Sequence, residues 1–513
     1  MMKKTASVLA IAAIASTLMG GAIAYHPAKA MSITQKGEEK PSLLKQELPA
    51  AESEEVKLTI EDVVFLAVEN NRDIKNAYLD RIVQRGDLEI AEDIFVPNLT
   101  PQFSIDSRRN AVGASNTDTR NAEISAEVSS RIPTGGELRV QWRGTGQNQE
   151  TNALSGVDEN SLTQNLQLSF EQPLFRGFGI DVNRASIEIA RLNEANNILS
   201  LKSTIINTIT NAIQRYRALL RAQEQLKIGQ LALESAKRQL EITKAFVEAG
   251  RRAPVDIVEA EANVANREVD LLANENGLKA ARSNLIEILD IDRNQKLVAG
   301  ETPDLESPTS LEPSQLLQVA LVNNPDYLRS QLRQKTAKFD LLLAEDRARS
   351  DLNLNIGYSL NSGNRIENTT DLRAGLTFSR DFGRQRQEEK QDVNRRRINL
   401  QQTQIDLQET RESLEIEVKD RIRDIEVDLR RVELARKARE LSEQQFENER
   451  EKLRLGVQGT RLVDVLNSED ELVRARNREL DAIISYLDDL TRLEQTLGIT
   501  LQRWNVSIDV NRS

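Results

Sequence analysis

Few residues of this chain can do chemistry. Of its 513 residues none is Cys and one is His, His26. Ser–His and Cys–His catalysis and the usual His/Cys metal sites need residues that are missing here. There is no phosphate-loop glycine pattern, so neither an enzyme nor a cofactor is expected. What remains is a set of polar and charged residues around two glycine breaks. "EAGRRAPVDIVEAE" (248–261) holds Gly250, Arg251 and Asp256. "RLGVQGTRLVDVLNSE" (454–469) holds Gly456, Gly459, Thr460, Arg461, Asp464 and Asn467. Gly supplies the positive φ that a reversal between helices needs. Pro254 suits the first turn of the helix that follows. Asp256 and Asp464 then lie near a helix N-terminus, where a carboxylate is favoured.

The elements that position these turns are very long helices. Residues 384–455 contain no Gly or Pro, and 180–249 contain only Gly229. About 70 helical residues reach roughly 100 Å. Apolar residues step by threes and fours through Ile198, Leu201, Ile205, Ile209, Ala212, Tyr216 and Leu219. They do so again through Val418, Ile422, Ile425, Leu429 and Val432. That is coiled-coil spacing, and the other faces are dense in Arg, Glu, Gln and Asp.

The chain also repeats itself. Shifted by 253, residues 58–106 fall on 311–359, and Asn70, Asn71 and Asp73 meet Asn323, Asn324 and Asp326. Shifted by 208, Asp256 meets Asp464, Glu261 meets Glu469 and Leu289 meets Leu497. The difference, 253 − 208 = 45, means about 45 extra residues in the first copy. The expected organisation is an export signal over 1–30, a flexible linker over 31–57 and repeat 1 over 58–298. A connector over 299–311, repeat 2 over 312–499 and a tail over 500–513 follow. Each repeat opens with one helix (59–94 and 314–349) and continues with strands, a long helix, a break and a second helix.

Between the helices lie alternating segments. Leu99, Pro101, Phe103 and Ile105 share one face, as do Ile124, Ala126 and Val128. So do Leu138, Val140 and Trp142, and then Leu162, Gln164, Leu166, Leu168 and Phe170. The second copy has Leu352, Leu354, Ile356, Tyr358 and Leu360, then Leu372, Ala374, Leu376 and Phe378. Such segments suit a transmembrane β-barrel or a half-buried soluble sheet. In lipid an open sheet edge has no partner for its backbone, so several chains would have to share one barrel.

Lys3 and Lys4, an apolar run and small-residue sites before Ala30 read as an export signal that carries His26 away. The net charge of −11 becomes −14 on losing Lys3, Lys4 and Lys29, which speaks against nucleic acid as a partner. No later stretch is long and apolar enough for a transmembrane helix. An exported coiled-coil structural or adhesive protein is the alternative from another class; it leaves the strand segments unexplained.

The duplicated helix–strand–long-helix plan resembles the TolC-like outer-membrane efflux and secretion channels over 58–499. "LTIEDVVFLAVENNRDIKNA" and "LEPSQLLQVALVNNPDYLRS" are similar to the family's repeat openings. "QPLFRGFG" (172–179) is similar to its exit from strand to helix, and "LEQTLGI" (493–499) to its end of repeat. "GRRAPVDIVEAE" and "GTRLVDVLNSEDELVRAR" are similar to its two periplasmic turns. The resemblance implies a mainly α fold with transmembrane β. Long coiled-coil helices would form a trimeric periplasmic α-barrel joined to a shared outer-membrane β-barrel. It implies a passive duct of a tripartite efflux pump or a type I secretion system. Its partners would be outer-membrane lipid, a periplasmic adaptor and an inner-membrane transporter. Asp464, with Asn467, Asp256 and Arg461, would line the periplasmic constriction, Arg461 tying the closed state together at Asp256. Gly250, Arg251, Gly456, Gly459 and Thr460 would form the turns that meet the adaptor.

Three features depart from the family pattern. Repeat 1 has four strand segments where the family usually has two, and an extracellular extension is favoured over extra barrel strands. The second exit, "SRDFGRQR" (379–386), lacks Pro-Leu. Gly459 is one residue too close to Asp464, and Gly456 two too far, to match Gly250 and Asp256.

Overall fold

A computed structural model describes residues 55–112, 115–152, 159–302, 305, 312–457 and 459–508. The expected export signal, residues 31–54 of the expected linker and 509–513 of the tail lie outside the described residues.

The body is helical. It comprises α1 (Ile60–Asn70), α2 (Arg72–Glu92), α3 (Ile180–Glu248) and α4 (Val255–Leu289) from the first half. The second half gives α5 (Pro313–Asn323), α6 (Pro325–Arg347), α7 (Arg384–Leu455) and α8 (Leu462–Leu497), and α9 (Thr500–Arg503) ends it. At 69 and 72 residues, α3 and α7 are each roughly 100 Å long. The apolar stripe expected on α3 is buried from Leu201 to Leu219, and Val418, Ile422, Ile425 and Val432 of α7 are buried likewise. α3 packs against α4, α2, α6 and α8, and α7 packs against α8 and α6. One apolar core joins Val63, Tyr216, Leu219, Leu285, Leu289 and Ile484; another joins Val418, Ile422, Tyr486 and Leu493.

The single helices expected over 59–94 and 314–349 are each split, at Asn71 and at Asn324. Asn71 has ψ 134° and Asn324 ψ 119°, outside the helical region. The cause is the same in both. The Asn71 side chain accepts from the N–H groups of Asp73 and Ile74, and that of Asn324 from Asp326 and Tyr327. Each is an N-cap competing with helix continuation. Their amide nitrogens donate to the last turns of the following long hairpins, Asn71 to Ile288 O and Asn324 to Thr496 O, both at 2.9 Å.

Residues 55–57 belong to β1 (Glu55–Leu58), which pairs in parallel with β6 (Lys296–Ala299). β6 reaches Ala299, the first residue of the expected connector, and α9 occupies the start of the expected tail.

The other strands form one sheet: β2 (Asn98–Val112), β3 (Ser115–Arg131), β4 (Glu137–Asn152), β5 (Glu159–Pro173), β7 (Asp351–Gly363) and β8 (Thr369–Ser379). The order is β2-β3-β4-β5-β7-β8, every pair antiparallel. β2 to β5 of the first half lie in one continuous sheet with β7 and β8 of the second, because the apolar alternation holds them in register. Pro101 sits on β2, which has one strand neighbour within the chain.

Candidate functional site: an uncovered apolar sheet face and paired helical turns

The register of the sheet places the alternating apolar residues on one face. One row runs Leu99, Val128, Val140, Leu168, Tyr358 and Leu372 across all six strands. The next runs Pro101, Ala126, Trp142, Leu166 and Leu360. Among the described residues nothing covers this face: Phe103 and Leu376 are each 67 % exposed and Leu372 is 77 % exposed. The opposite face is polar, and Arg139 meets Glu127 at 3.4 Å while Arg143 meets Glu123 at 3.2 Å. The apolar face ends at Ile105, Ala122, Gly146 and Leu162, which stand side by side. Beyond that row the same face carries Ser107, Arg120, Asn148 and Asn160, then Arg109 in a 2.6 Å ion pair with Asp118. A belt of that kind, with polar rims and no cover, is what a lipid-facing sheet requires.

The strand-to-helix exit explains "QPLFRGFG". Leu174 N–H donates to Leu352 O at 2.7 Å, and Arg176 N–H to Ser350 O at 3.2 Å. The Arg176 guanidinium lies 2.6 Å from Asp351, and Gly177 N–H donates to the buried Asp346 carboxylate at 2.9 Å. The segment therefore clamps the base of the sheet to the end of α6. Gly135 must be small there, since a Cβ would lie 2.0 Å from Gly177 O.

At the other end of the long helices the chain reverses twice. Gly250 has φ +68°, with its N–H to Val247 O at 2.9 Å and Arg251 N–H to Phe246 O at 2.8 Å. Gly456 has φ +67°, with its N–H to Leu453 O at 3.3 Å and Val457 N–H to Lys452 O at 3.1 Å. The two glycines end their helices in the same way, so Gly456 is the counterpart of Gly250. Gly459, φ +93°, lies later in the second turn. The next helix starts at Val255 in the first turn and Leu462 in the second, so Asp256 is its second residue and Asp464 its third.

That offset changes what the two aspartates do. The Asp464 carboxylate accepts from Arg461 N–H at 3.1 Å and from the Arg461 guanidinium at 3.2 Å, at the start of its own helix. The Arg461 side chain beside it, and then the backbone N–H, hold its carboxyl below the usual range. Within this chain Arg461 thus meets Asp464 of its own turn. Asp256 lies 3.8 Å from Arg252, whose guanidinium also donates to Thr460 O at 3.3 Å. Arg252 ties the two turns together within one chain. The sequence drew attention to Arg251, which is exposed; nothing in the spacing ranked its neighbour above it. Asn467 is exposed on the same end, above a core of Leu453, Leu462, Val465 and Phe446.

Higher on α8, Glu469 is 3 % exposed, and burial pushes its carboxyl up against the smaller opposing effects of Ser235 and Arg267. Its repeat partner Glu261 is exposed and lies 3.8 Å from Lys244. Arg267 is buried beside it and pairs with Asp470 and Asp270. This cluster escaped the sequence because the two glutamates align while their surroundings differ. Among the described residues no helix is long and apolar enough to cross a membrane.

The comparisons agree with this geometry. The model of the outer membrane efflux protein family matches residues 63–290. No curated relative matches the chain in sequence. The outer membrane channel CmeC of Campylobacter jejuni has a similar fold, with a TM-score of 0.64 and 16 % identity over 86 % of this chain and 85 % of that one. The outer membrane protein VceC of Vibrio cholerae gives 0.62 and 14 % over 86 % and 96 %. The MtrE outer membrane channel of Neisseria gonorrhoeae, in its open state, gives 0.59 and 16 % over 86 % and 88 %.

Proposed function

We propose that this chain belongs to the outer membrane efflux protein family, whose model matches residues 63–290, and that it is the outer-membrane channel of an efflux or type I secretion machine. One observation carries the proposal: an uncovered apolar sheet face, rimmed by polar residues, stands on helices roughly 100 Å long. The strands span the outer membrane and the helices cross the periplasm. Three copies surround one passage, and the two halves of each chain are copies of one unit with the organisation given above. The shared order of helices, strands and turns, and the matching links from Asn71 and Asn324, support that duplication. A coiled-coil rod, the alternative, has no use for such a sheet.

The duct is passive. A periplasmic adaptor packs around the helical turns at Gly250, Arg251, Gly456, Gly459 and Thr460, and an inner-membrane transporter feeds the passage. Three copies of Asp464 ring the constriction, with Asn467 beside them, and draw cations toward it. The lowered pKa of Asp464 supports a charge that is kept at neutral pH. Arg252 and Arg461 hold the turns in place.

Membrane fractionation with heated and unheated gels tests the channel. Outer-membrane recovery as a species near three chain masses is expected; a soluble monomer overturns it. The constriction has its own test: Asp464→Ala together with Arg461→Ala should raise planar-bilayer conductance and lower cation preference. Unchanged conductance and selectivity would remove these two residues from the passage.

A further inference from the structure

The family-like trimer does not by itself say how many strands each chain puts through the membrane, and the sheet does. We propose that all six strands of each chain form the wall, so that three copies close one barrel of 6 × 3 = 18 strands, with β8 of one copy sealed against β2 of the next. The proposal rests on the channel function and trimer given above.

Three observations carry it. First, the lipid-compatible face extends over the extra strands. β2 contributes Leu99, Phe103 and Ile105 and β3 contributes Ile124 and Val128; the Leu99–Val128 row continues apolar through β4, β5, β7 and β8, while the Phe103–Ile124 row gives way to Gly144 and Gln164 on β4 and β5. A hairpin lying wholly outside the membrane would have no reason to keep apolar residues at that height. The segments that do project outward are the polar ends of β2, β3 and β4, beyond Ile105, Ala122 and Gly146. Second, β2 and β8 each have one side unpaired among the described residues. In hydrocarbon each unpaired backbone group costs several kcal/mol, so these edges require a strand partner. Third, the strand number is even. The strands alternate in direction from β2 to β8, so β8 of one copy runs antiparallel to β2 of the next and the ring closes without a mismatch.

With strands about 4.8 Å apart and tilted about 40°, 18 strands enclose a backbone cylinder about 36 Å across, against about 24 Å for 12. The outer-membrane section is then a wide vestibule, and the helical turns at the opposite end are the selective element.

The chain has no Cys, so engineered pairs report alone. Thr100→Cys or Gln102→Cys on β2 is combined in turn with Asp371→Cys, Arg373→Cys, Gly375→Cys or Thr377→Cys on β8. All lie on the polar face. The full-length protein is oxidised in outer membranes and run on non-reducing gels. At least one register should give covalently linked trimers. A parallel series joins Gln141→Cys of β4 to the same β8 positions and should give none. Links from β8 to β4, or no β2–β8 link in any register of a trimeric outer-membrane protein, overturn the 18-stranded wall and leave the channel standing. A protein that never reaches the outer membrane, or stays monomeric there, overturns both.

Discussion

Gly250 and Gly456 stand in left-handed backbone with open space around them, since a Cβ on either would meet nothing within 4 Å. Conformation alone demands glycine there. Gly456→Ala should cost roughly 1–2 kcal/mol locally and Gly456→Asn less, because Asn tolerates this region. Hydrogen exchange at the end of α7 measures the difference. Glu469 is the second residue whose surroundings dictate a result. Its folded pKa lies above its unfolded one, so the stability it contributes is present in acid and is lost as pH rises through the raised value. Glu469→Gln keeps the shape and removes the buried charge. It should increase exchange protection of α8 near neutral pH and change nothing below the unfolded glutamate pKa. No gain at neutral pH would mean that Arg267 already compensates the carboxylate.

Among the elements, the breaks at Asn71 and Asn324 matter most. Each asparagine starts a helix and also holds the end of a long hairpin, through Ile288 or Thr496. Asn324→Ala loses the cap and the cross-link together. About 1 kcal/mol is expected from the cap alone and a similar amount from the second bond. Exchange should quicken in the first turn of α6 and the last turn of α8. If only α6 responds, the bond to Thr496 contributes nothing. The long helices need no such device along their length: an almost unbroken run of good helix formers and a buried apolar stripe suffice.

At the scale of the whole molecule the two faces of the sheet set the outcome. Leu168→Arg, on the apolar face, should cost about 2–4 kcal/mol near the middle of the bilayer and reduce the outer-membrane trimer. Gln167→Arg, one residue away on the polar face, should be tolerated. Comparing the amounts of heat-sensitive oligomer for the two variants decides between a lipid-facing sheet and a sheet buried against a soluble partner. In the latter case Leu168→Arg would leave the protein unable to fold rather than unable to assemble.

The sequence by itself determined the length of the helices, the alternation of the strands and the positions of both turns. Each of these follows from local rules: periodicity, glycine at positive φ and the absence of breakers. The splits at Asn71 and Asn324 were also written locally, in Asn-Asn-Arg-Asp and Asn-Asn-Pro-Asp, but continuous amphipathic spacing on both sides masked them. Tertiary structure alone decided three things. It put the extra hairpin into the sheet, since strand pairing is a choice among distant partners. Within one chain it set Arg252 beside Asp256 and Arg461 beside Asp464, because a difference of one helical position sends Asp464 back onto its own cap. It buried Glu469 and exposed Glu261, although the repeat aligns them, because a side chain's environment depends on the helices packed beside it and not on its own sequence.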